Sequence, residues 1–362
     1  MRSEKEDEKL TLGIETSCDE TAAAVLRGGR KLLSNVIATQ IPVHQKFGGV
    51  VPEIASRHHI VNLMPVIDEA LRQAGVTLSE IHQVAVTYGP GLVGALLVGV
   101  SVAKALAFAR DIPLIGVNHL EGHIFANFLS TLDLAPPFVA LVVSGGHTAL
   151  VEVRDYNRFA LLGETRDDAA GEAFDKVARV MGLPYPGGPE IDRLAKEGNG
   201  AAIDFPQALK DSGDYDFSFS GLKSAVLNYL NEKKMKGIEV NRADVAASFQ
   251  EAVVEVLAVK AADALRETGF HRLVLAGGVA ANSALEGRLR QMTAAAGAEF
   301  YYPSPILCTD NAAMIACRGY YQALAGDFSD LRLNAMPGLG LKDRGQPRSE
   351  ERRVGKECRS RW

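Results

Sequence analysis

The chain has 362 residues, 47% of them hydrophobic and 23% charged, with 35 glycines and 15 prolines. That composition excludes disorder, collagen-like repeats and coiled coil, and the length suits two lobes that each bury a core. The formal charge is −5, and no CxxC pair occurs among Cys18, Cys308, Cys317 and Cys358, so a disulfide scaffold is not expected.

The charged start, Met1 to Lys9, has no apolar h-region and reads as no signal peptide. Leu10 to Glu15 is strand-like, Thr16 to Glu20 is a polar turn, and Thr21 to Leu26 resumes an apolar run. Helical periods follow over Ile54–Gln73 and Leu92–Ala109. The second is the nearest approach to a membrane span, but Ser101 and Lys104 and the opening Gly89-Pro90-Gly91 mark it as a buried helix. Phe138–Val143, the turn Ser144-Gly145-Gly146-His147 and Thr148–Val153 repeat the first hairpin. Both returning strands begin Thr-Ala, so the two hairpins read as copies of one unit. Helical periods recur over Ala169–Met181, Ala243–Thr268 and Asn311–Leu324. The strand Leu273–Ala276 runs through Gly277-Gly278 into a helix expected over Val279–Leu289. Alternating strands and helices predict an α/β fold of two similar lobes around a cleft, divided near Pro136-Pro137.

The last fifteen residues, Arg348 to Trp362, have no apolar period and resemble the in-frame translation of a sequencing adapter. They hold six basic and three acidic residues, so without them the charge becomes −8. An RNA-gripping basic tail is the rival reading. An acidic body must contact nucleic acid through a local patch or a partner.

Three glycine pairs carry the first chemical signal. Gly145-Gly146, Gly187-Gly188 and Gly277-Gly278 each offer close backbone approach to phosphate or carboxylate oxygens, although any one alone suits a tight structural turn. Neither a P-loop nor a strand-linked GxGxxG is present. His119 and His123 stand at i and i+4, which suits a divalent metal and equally a chance surface pair. Glu121 is turned roughly 200° from His119, so no zincin-type base is present. Asp310 precedes an apolar helix, where it or Thr309 reads as a cap. Asp175 with Arg179 reads as an i,i+4 pair. The acidic cluster Glu164, Asp167, Asp168, Glu172 and Asp175 suits a site for cations or a sugar. His58-His59 reads as packing or surface, His147 as facing the cleft, and Lys233-Lys234-Met235-Lys236 as a solvated face.

Taken together the motifs resemble one family, the TsaD (Gcp) family of tRNA threonylcarbamoyladenosine synthesis, in its bacterial form. The matching segments are Gly13-IETSCDET-Ala22, Gly48-GVVPEIASRHH-Ile60, Asn118-HLEGH-Ile124, Leu141-VVSGGHT-Ala149, Gly163-ETRDDAAGEAFDKVAR-Val180, Tyr185-PGGPEID-Arg193, Asp216-FSFSGLKS-Ala225, Leu275-AGGVAANS-Ala284 and Cys308-TDNAAMIA-Cys317. They lie in order over roughly residues 10 to 340, and the adapter-like end has no family counterpart.

The resemblance implies an actin/Hsp70/sugar-kinase-like fold with duplicated mixed sheets around a nucleotide cleft. A first lobe would span 10–134 and a second 135–340, with the helix near 310–325 packing back toward the first. It implies transfer of threonylcarbamoyl from threonylcarbamoyl-AMP to N6 of the adenosine 3′ of the anticodon, in tRNAs reading codons that begin with A. His119, His123 and Asp310 are implied as ligands of one divalent metal, Fe2+ or Zn2+. Val142, Val143, Ser144, Gly145, Gly146, Asp175, Gly188, Asp192 and Asn282 are implied at the substrate. Glu15, Asp19 and His147 are the candidate proton acceptors. The implied partners are the tRNA anticodon stem-loop, a smaller homologous TsaB-type protein and a TsaE-type ATPase, in the cytoplasm and without a membrane. A sugar kinase of the same fold has no reason for the histidine pair, the family's non-catalytic homologue is expected to lack it, and a metallopeptidase needs a base that Glu121 does not provide.

Overall fold

A computed structural model describes residues 8–341. Most of the charged start and the whole of 348–362, with Cys358 and the adapter-like tail, lie outside the described residues.

Two five-stranded sheets share one wiring. In the first, β1 (Leu10–Glu15), β2 (Glu20–Arg27) and β3 (Lys31–Thr39) form an antiparallel meander. β4 (Gln83–Gly89) and β5 (Leu114–Asn118) then add in parallel on the other side of β1, in the order β3-β2-β1-β4-β5. In the second, β6 (Phe138–Val143), β7 (Thr148–Asp155) and β8 (Arg158–Glu164) repeat the meander. β9 (Arg272–Ala276) and β10 (Glu299–Tyr301) repeat the parallel pair. The central strands β1 and β6 are buried along their whole length, so each reads as an unbroken apolar run rather than an alternation.

The helices close three apolar layers. α1 (Pro52–Ala74) and α2 (Val93–Arg110) cover the outer face of the first sheet, sealing Leu12, Ile14, Leu63, Ile67 and Val100. By length and composition alone α2 passes for a membrane span, with a mean hydropathy of 1.7. Its Ala95, Leu96, Gly99, Val100, Ala103 and Ala107 are buried in the protein. The middle layer lies between the sheets and holds Phe125, Phe128, Phe138, Tyr320 and Tyr321, supplied partly by α3 (His119–Phe125). Outside the second sheet pack α4 (Ala170–Val180), α5 (Gly187–Ala195), α6 (Ser220–Met235), α7 (Arg242–Thr268) and α8 (Ser283–Ala295).

The last helix, α9 (Ala312–Leu324), follows the second sheet in sequence yet packs on β1, β2 and β4 of the first and on α3. Gly13 permits this approach, because a Cβ there would lie 2.3 Å from the Ala312 carbonyl oxygen.

Two local expectations need correction. The helix expected over Val279–Leu289 is broken. A 3-10 turn, Gly278–Ala281, ends at Asn282, whose extended backbone (φ −70°, ψ 121°) starts α8 and whose side chain caps Leu285 N–H. The cap of α9 is Asn311, which accepts from Met314 N–H, and neither Thr309 nor Asp310. Asp310 is thereby left for other work.

Candidate metal centre and donor cleft

One cleft of ≈ 970 Å³ opens between the lobes, and all three glycine turns contribute to its wall through Ser144, Gly145, Gly146, Gly188 and Gly278. At its floor three candidate ligands of two types, two imidazoles and a carboxylate, converge. His119 Nε2 is 3.4 Å and His123 Nε2 3.2 Å from Asp310 Oδ1, and one ligand atom from each residue lies within 4.8 Å of the others. α3 supplies both histidines because i and i+4 share a face, and its first turn is capped by the Asn118 side chain. The chain before α9 brings Asp310 across. His123 is 1% exposed, and neither ring nitrogen has a hydrogen-bond partner, since the Asp310 contact is close but misaligned. A buried imidazole with unmet nitrogens, beside a second imidazole and a carboxylate, is a donor set that fits a divalent transition metal.

Glu15 sits behind this triangle. Its Oε2 takes the His119 Nδ1 proton at 3.0 Å and the Thr87 hydroxyl at 2.6 Å, and its Oε1 takes Ser17 N–H at 2.5 Å. Both oxygens are consumed, the side chain is fully buried, and it is absent from the cleft wall. Glu15 thus stands behind His119 at Nδ1, and Nε2 is the ring nitrogen that faces Asp310. Burial drives the His119 imidazole down, but Asp310 and Glu15 outweigh it and hold the metal-free ring at about 10.

Asp19 and His147 do reach the cleft. Burial, with help from Asp310, raises the Asp19 carboxyl above its ordinary value. Burial, reinforced by His119 and His123, holds His147 down at about 4, so it is neutral at physiological pH. Its backbone closes the glycine turn, with Ser144 N–H donating to its carbonyl at 2.8 Å and its own N–H donating to Ser144 Oγ at 3.2 Å.

The residues implied at the substrate divide. Ser144, Gly145, Gly146, Asp175, Gly188, Asp192 and Asn282 line the cleft. Val142 and Val143 do not: both are fully buried in β6, one in the middle layer and one in the outer layer of the second lobe, because a strand interior sends alternate side chains into the two cores.

Asp175 accepts Gly187 N–H at 2.6 Å and Gly188 N–H, capping α5, and Arg179 turns instead to the Gly48 carbonyl, so the i,i+4 pair is not formed. Gly187 is needed there, since a Cβ would lie 2.8 Å from Asp175 Cα and 2.4 Å from Ala178 Cβ. Asp192 accepts Ser283 Oγ–H at 2.9 Å, and Asn282 donates to Gln250 Oε1 at 2.7 Å.

The acidic cluster divides: Glu172 and Asp175 line the cleft, while Asp168 and Glu172 share Lys176. Asp167 binds Ser218, Phe219 and Ser220 at the start of α6, and Asp168 pairs with Lys176 and Lys223. Glu121 points away from the metal face into a fully buried ion pair with Arg318 at 2.6 Å. His59 is a packing residue, hydrogen-bonded to Thr21 and to the Cys18 carbonyl.

Sequence reasoning missed the roles of Ser17 and Thr87 around Glu15, and also Tyr185, which lines the same cleft as Asp19. The only signal for Tyr185 was its place beside Gly187-Gly188.

A family model for TsaD, tRNA N6-adenosine threonylcarbamoyltransferase, matches residues 31–317. Curated proteins of that name from Clostridioides difficile and Clostridium perfringens are 59% and 60% identical over 332 and 338 residues. These alignments cover 92% and 93% of this chain and 98% and 100% of theirs. Among solved structures, (R)-2-hydroxyglutaryl-CoA dehydratase component A of Acidaminococcus fermentans superposes with a TM-score of 0.53 at 15% identity, covering 87% of this chain and 99% of that one. It speaks to the two-lobed α/β fold alone. The repeated sheets, the His–His–Asp triangle and these matches lead to one assignment: the chain belongs to the TsaD family of tRNA N6-adenosine threonylcarbamoyltransferases.

Proposed function

We propose that this chain transfers threonylcarbamoyl from threonylcarbamoyl-AMP to N6 of the adenosine 3′ of the anticodon, in tRNAs whose codons begin with A, and releases AMP. The observation that carries the reading is the His119–His123–Asp310 triangle at the floor of a cleft walled by the Ser144-Gly145-Gly146 turn. Those three residues would hold one Fe2+ or Zn2+, which supplies Lewis-acid charge and a template for donor oxygens.

The protein's own part is positioning. The donor is a mixed anhydride with a good leaving group, so most of the rate comes from alignment and charge stabilisation. Backbone N–H groups of the Ser144 turn meet phosphate or carbonyl oxygens, and Asp175, Gly188, Asp192 and Asn282 hold the nucleotide half. N6 attacks the carbamoyl carbon, the carbon–oxygen bond to phosphate breaks, and the N6 proton passes to Asp19 or His147. His147 is neutral with a lone pair available, and Glu15 is set aside because its oxygens are occupied. Replacing Asp19 by Asn or His147 by Gln should lower kcat more than donor affinity.

The partners belong to the same proposal. α1 and α2 pack side by side and expose Ile60, Val61, Met64, Val93 and Leu97, a face that suits the helices of a TsaB-type partner. A TsaE-type ATPase and a cytoplasmic setting complete it.

The test is transfer of labelled threonine from synthetic threonylcarbamoyl-AMP into unmodified tRNA with the bacterial partners present, comparing the native chain with His119→Ala/His123→Ala. Transfer lost in the variant supports both reaction and metal site. Transfer that survives removes the metal from the reaction. No transfer by the native chain, with partners bound, overturns the assignment.

A further inference from the structure

The segment between β3 and α1 crosses the mouth of the cleft and is tied to the second lobe on both sides of one turn. Gln45 Nε2 donates to the Tyr185 carbonyl at 2.8 Å, and the Arg179 guanidinium donates to the Gly48 carbonyl. Gly49 and Val50 continue into the cleft wall beside Tyr185 and Arg179. Between the ties lies a single 3-10 turn, Gln45–Phe47, ended by Gly48 at φ +69°. Gly49 has φ +155°, a backbone conformation that L side chains rarely adopt, so the crossing itself calls for glycine.

The turn buries none of its own residues, and Phe47 is 58% exposed. An aromatic ring anchored at both flanks yet held in water forgoes hydrophobic stabilisation. Lys46 beside it is exposed and enters no ion pair among the described residues. The position is therefore an aromatic plane next to a cation, at the entrance to the donor site.

The acceptor adenosine lies in a single-stranded loop. For N6 to reach a donor inside the cleft, its base must leave the loop stack, and that exposes one face of the adjoining base. An aromatic plane offers such a face a new partner without regard to its sequence, and a lysine meets the phosphate beside it. We propose that Phe47 is the platform on which the base adjoining the acceptor adenosine stacks, with Lys46 against the neighbouring phosphate. The proposal rests on the transferase reading and makes Phe47 a positioning residue for tRNA. A protein partner fits less well here, since Phe47 is flanked in the chain by exposed Lys46 and by Gly48-Gly49 rather than by apolar side chains.

The test uses the full chain with its metal and partner proteins. Phe47→Ala, Phe47→Trp and Lys46→Gln are compared for kcat, KM for tRNA and KM for threonylcarbamoyl-AMP. Binding of the anticodon stem-loop is measured with an intact loop and with an abasic site beside the acceptor. Phe47→Ala should raise the tRNA KM between about fivefold and a hundredfold, leaving the donor KM and Tm unchanged. Phe47→Trp should restore it, and on the abasic loop the native chain and Phe47→Ala should bind alike. A tRNA KM unchanged in Phe47→Ala overturns the platform, as does loss of a partner protein from that variant's complex. Should the native chain bind the stem-loop but transfer nothing, the reaction fails while the two loops still decide the stacking.

Discussion

Replacing Glu15 by Gln tests the architecture behind the metal centre. The carboxylate accepts three hydrogen bonds at once, from His119 Nδ1–H, Thr87 Oγ1–H and Ser17 N–H. A glutamine of the same shape offers one acceptor oxygen and an NH2. If the amide nitrogen faces Ser17 N–H, two donors collide. If it faces His119 and Thr87, the imidazole turns over or the hydroxyl is orphaned. In the second case His119 Nε2 loses its imposed lone-pair orientation, and in both the imidazole loses the basicity lent by a buried negative charge. Loss of such an outer partner costs about 10- to 100-fold in metal affinity, or about 1.4–2.7 kcal/mol. Competition with a chelating dye should show this weakening while threonylcarbamoyl-AMP binding to the Ser144 turn is retained, and excess metal should restore transfer. Unchanged metal affinity with abolished transfer would refute the reasoning and return Glu15 to the chemistry.

The remaining predictions concern the frame. Glu121→Ala removes the carboxylate from a buried Arg318 that keeps its bonds to the Tyr156 carbonyl and Asn157, and should cost roughly 3–5 kcal/mol in denaturant unfolding, whereas Glu121→Leu with Arg318→Met should recover much of it. Gly187→Ala forces a methyl against Asp175 and Ala178; loss of about 1–3 kcal/mol of stability, with weakened donor binding, should appear in thermal shift and titration. Burial, abetted by Asp19 and Asp310, raises the Glu20 carboxyl from 4.5 to about 8, so between those values the folded chain holds a proton that the unfolded chain has released. Its contribution to stability therefore falls as pH rises from about 4.5 to about 8, and Glu20→Gln should stabilise the protein more at pH 9 than at pH 5 when urea midpoints are compared.

Much of the frame is legible in the chain because the central strands are buried on both faces. β1 and β6 fall where the unbroken apolar runs lie, and the shared Thr-Ala return marks the duplication. β3 and β8 escape notice because they are edge strands of mixed burial, and three-residue β10 is too short to carry a pattern. Within the site, the i,i+4 histidines follow from helical period alone. The third ligand does not, since Asp310 reaches them only through the return of α9 to the first lobe. Sequence likewise shows an acid at position 15 but not whether its oxygens are free.

The repeat also explains how one fold makes an asymmetric site. Corresponding β-turns of the two lobes face one cleft, yet they carry different chemistry. The first, Thr16 to Asp19, brings Ser17, Cys18 and Asp19 into the wall and keeps Glu15 behind it on His119. The second, Ser144 to His147, is stripped to glycine at its tip so that a ligand meets backbone. α3 and α9 are packed between the sheets and carry or adjoin all three candidate ligand positions, so the His–His–Asp triangle is anchored in the middle layer rather than in either lobe's outer helices.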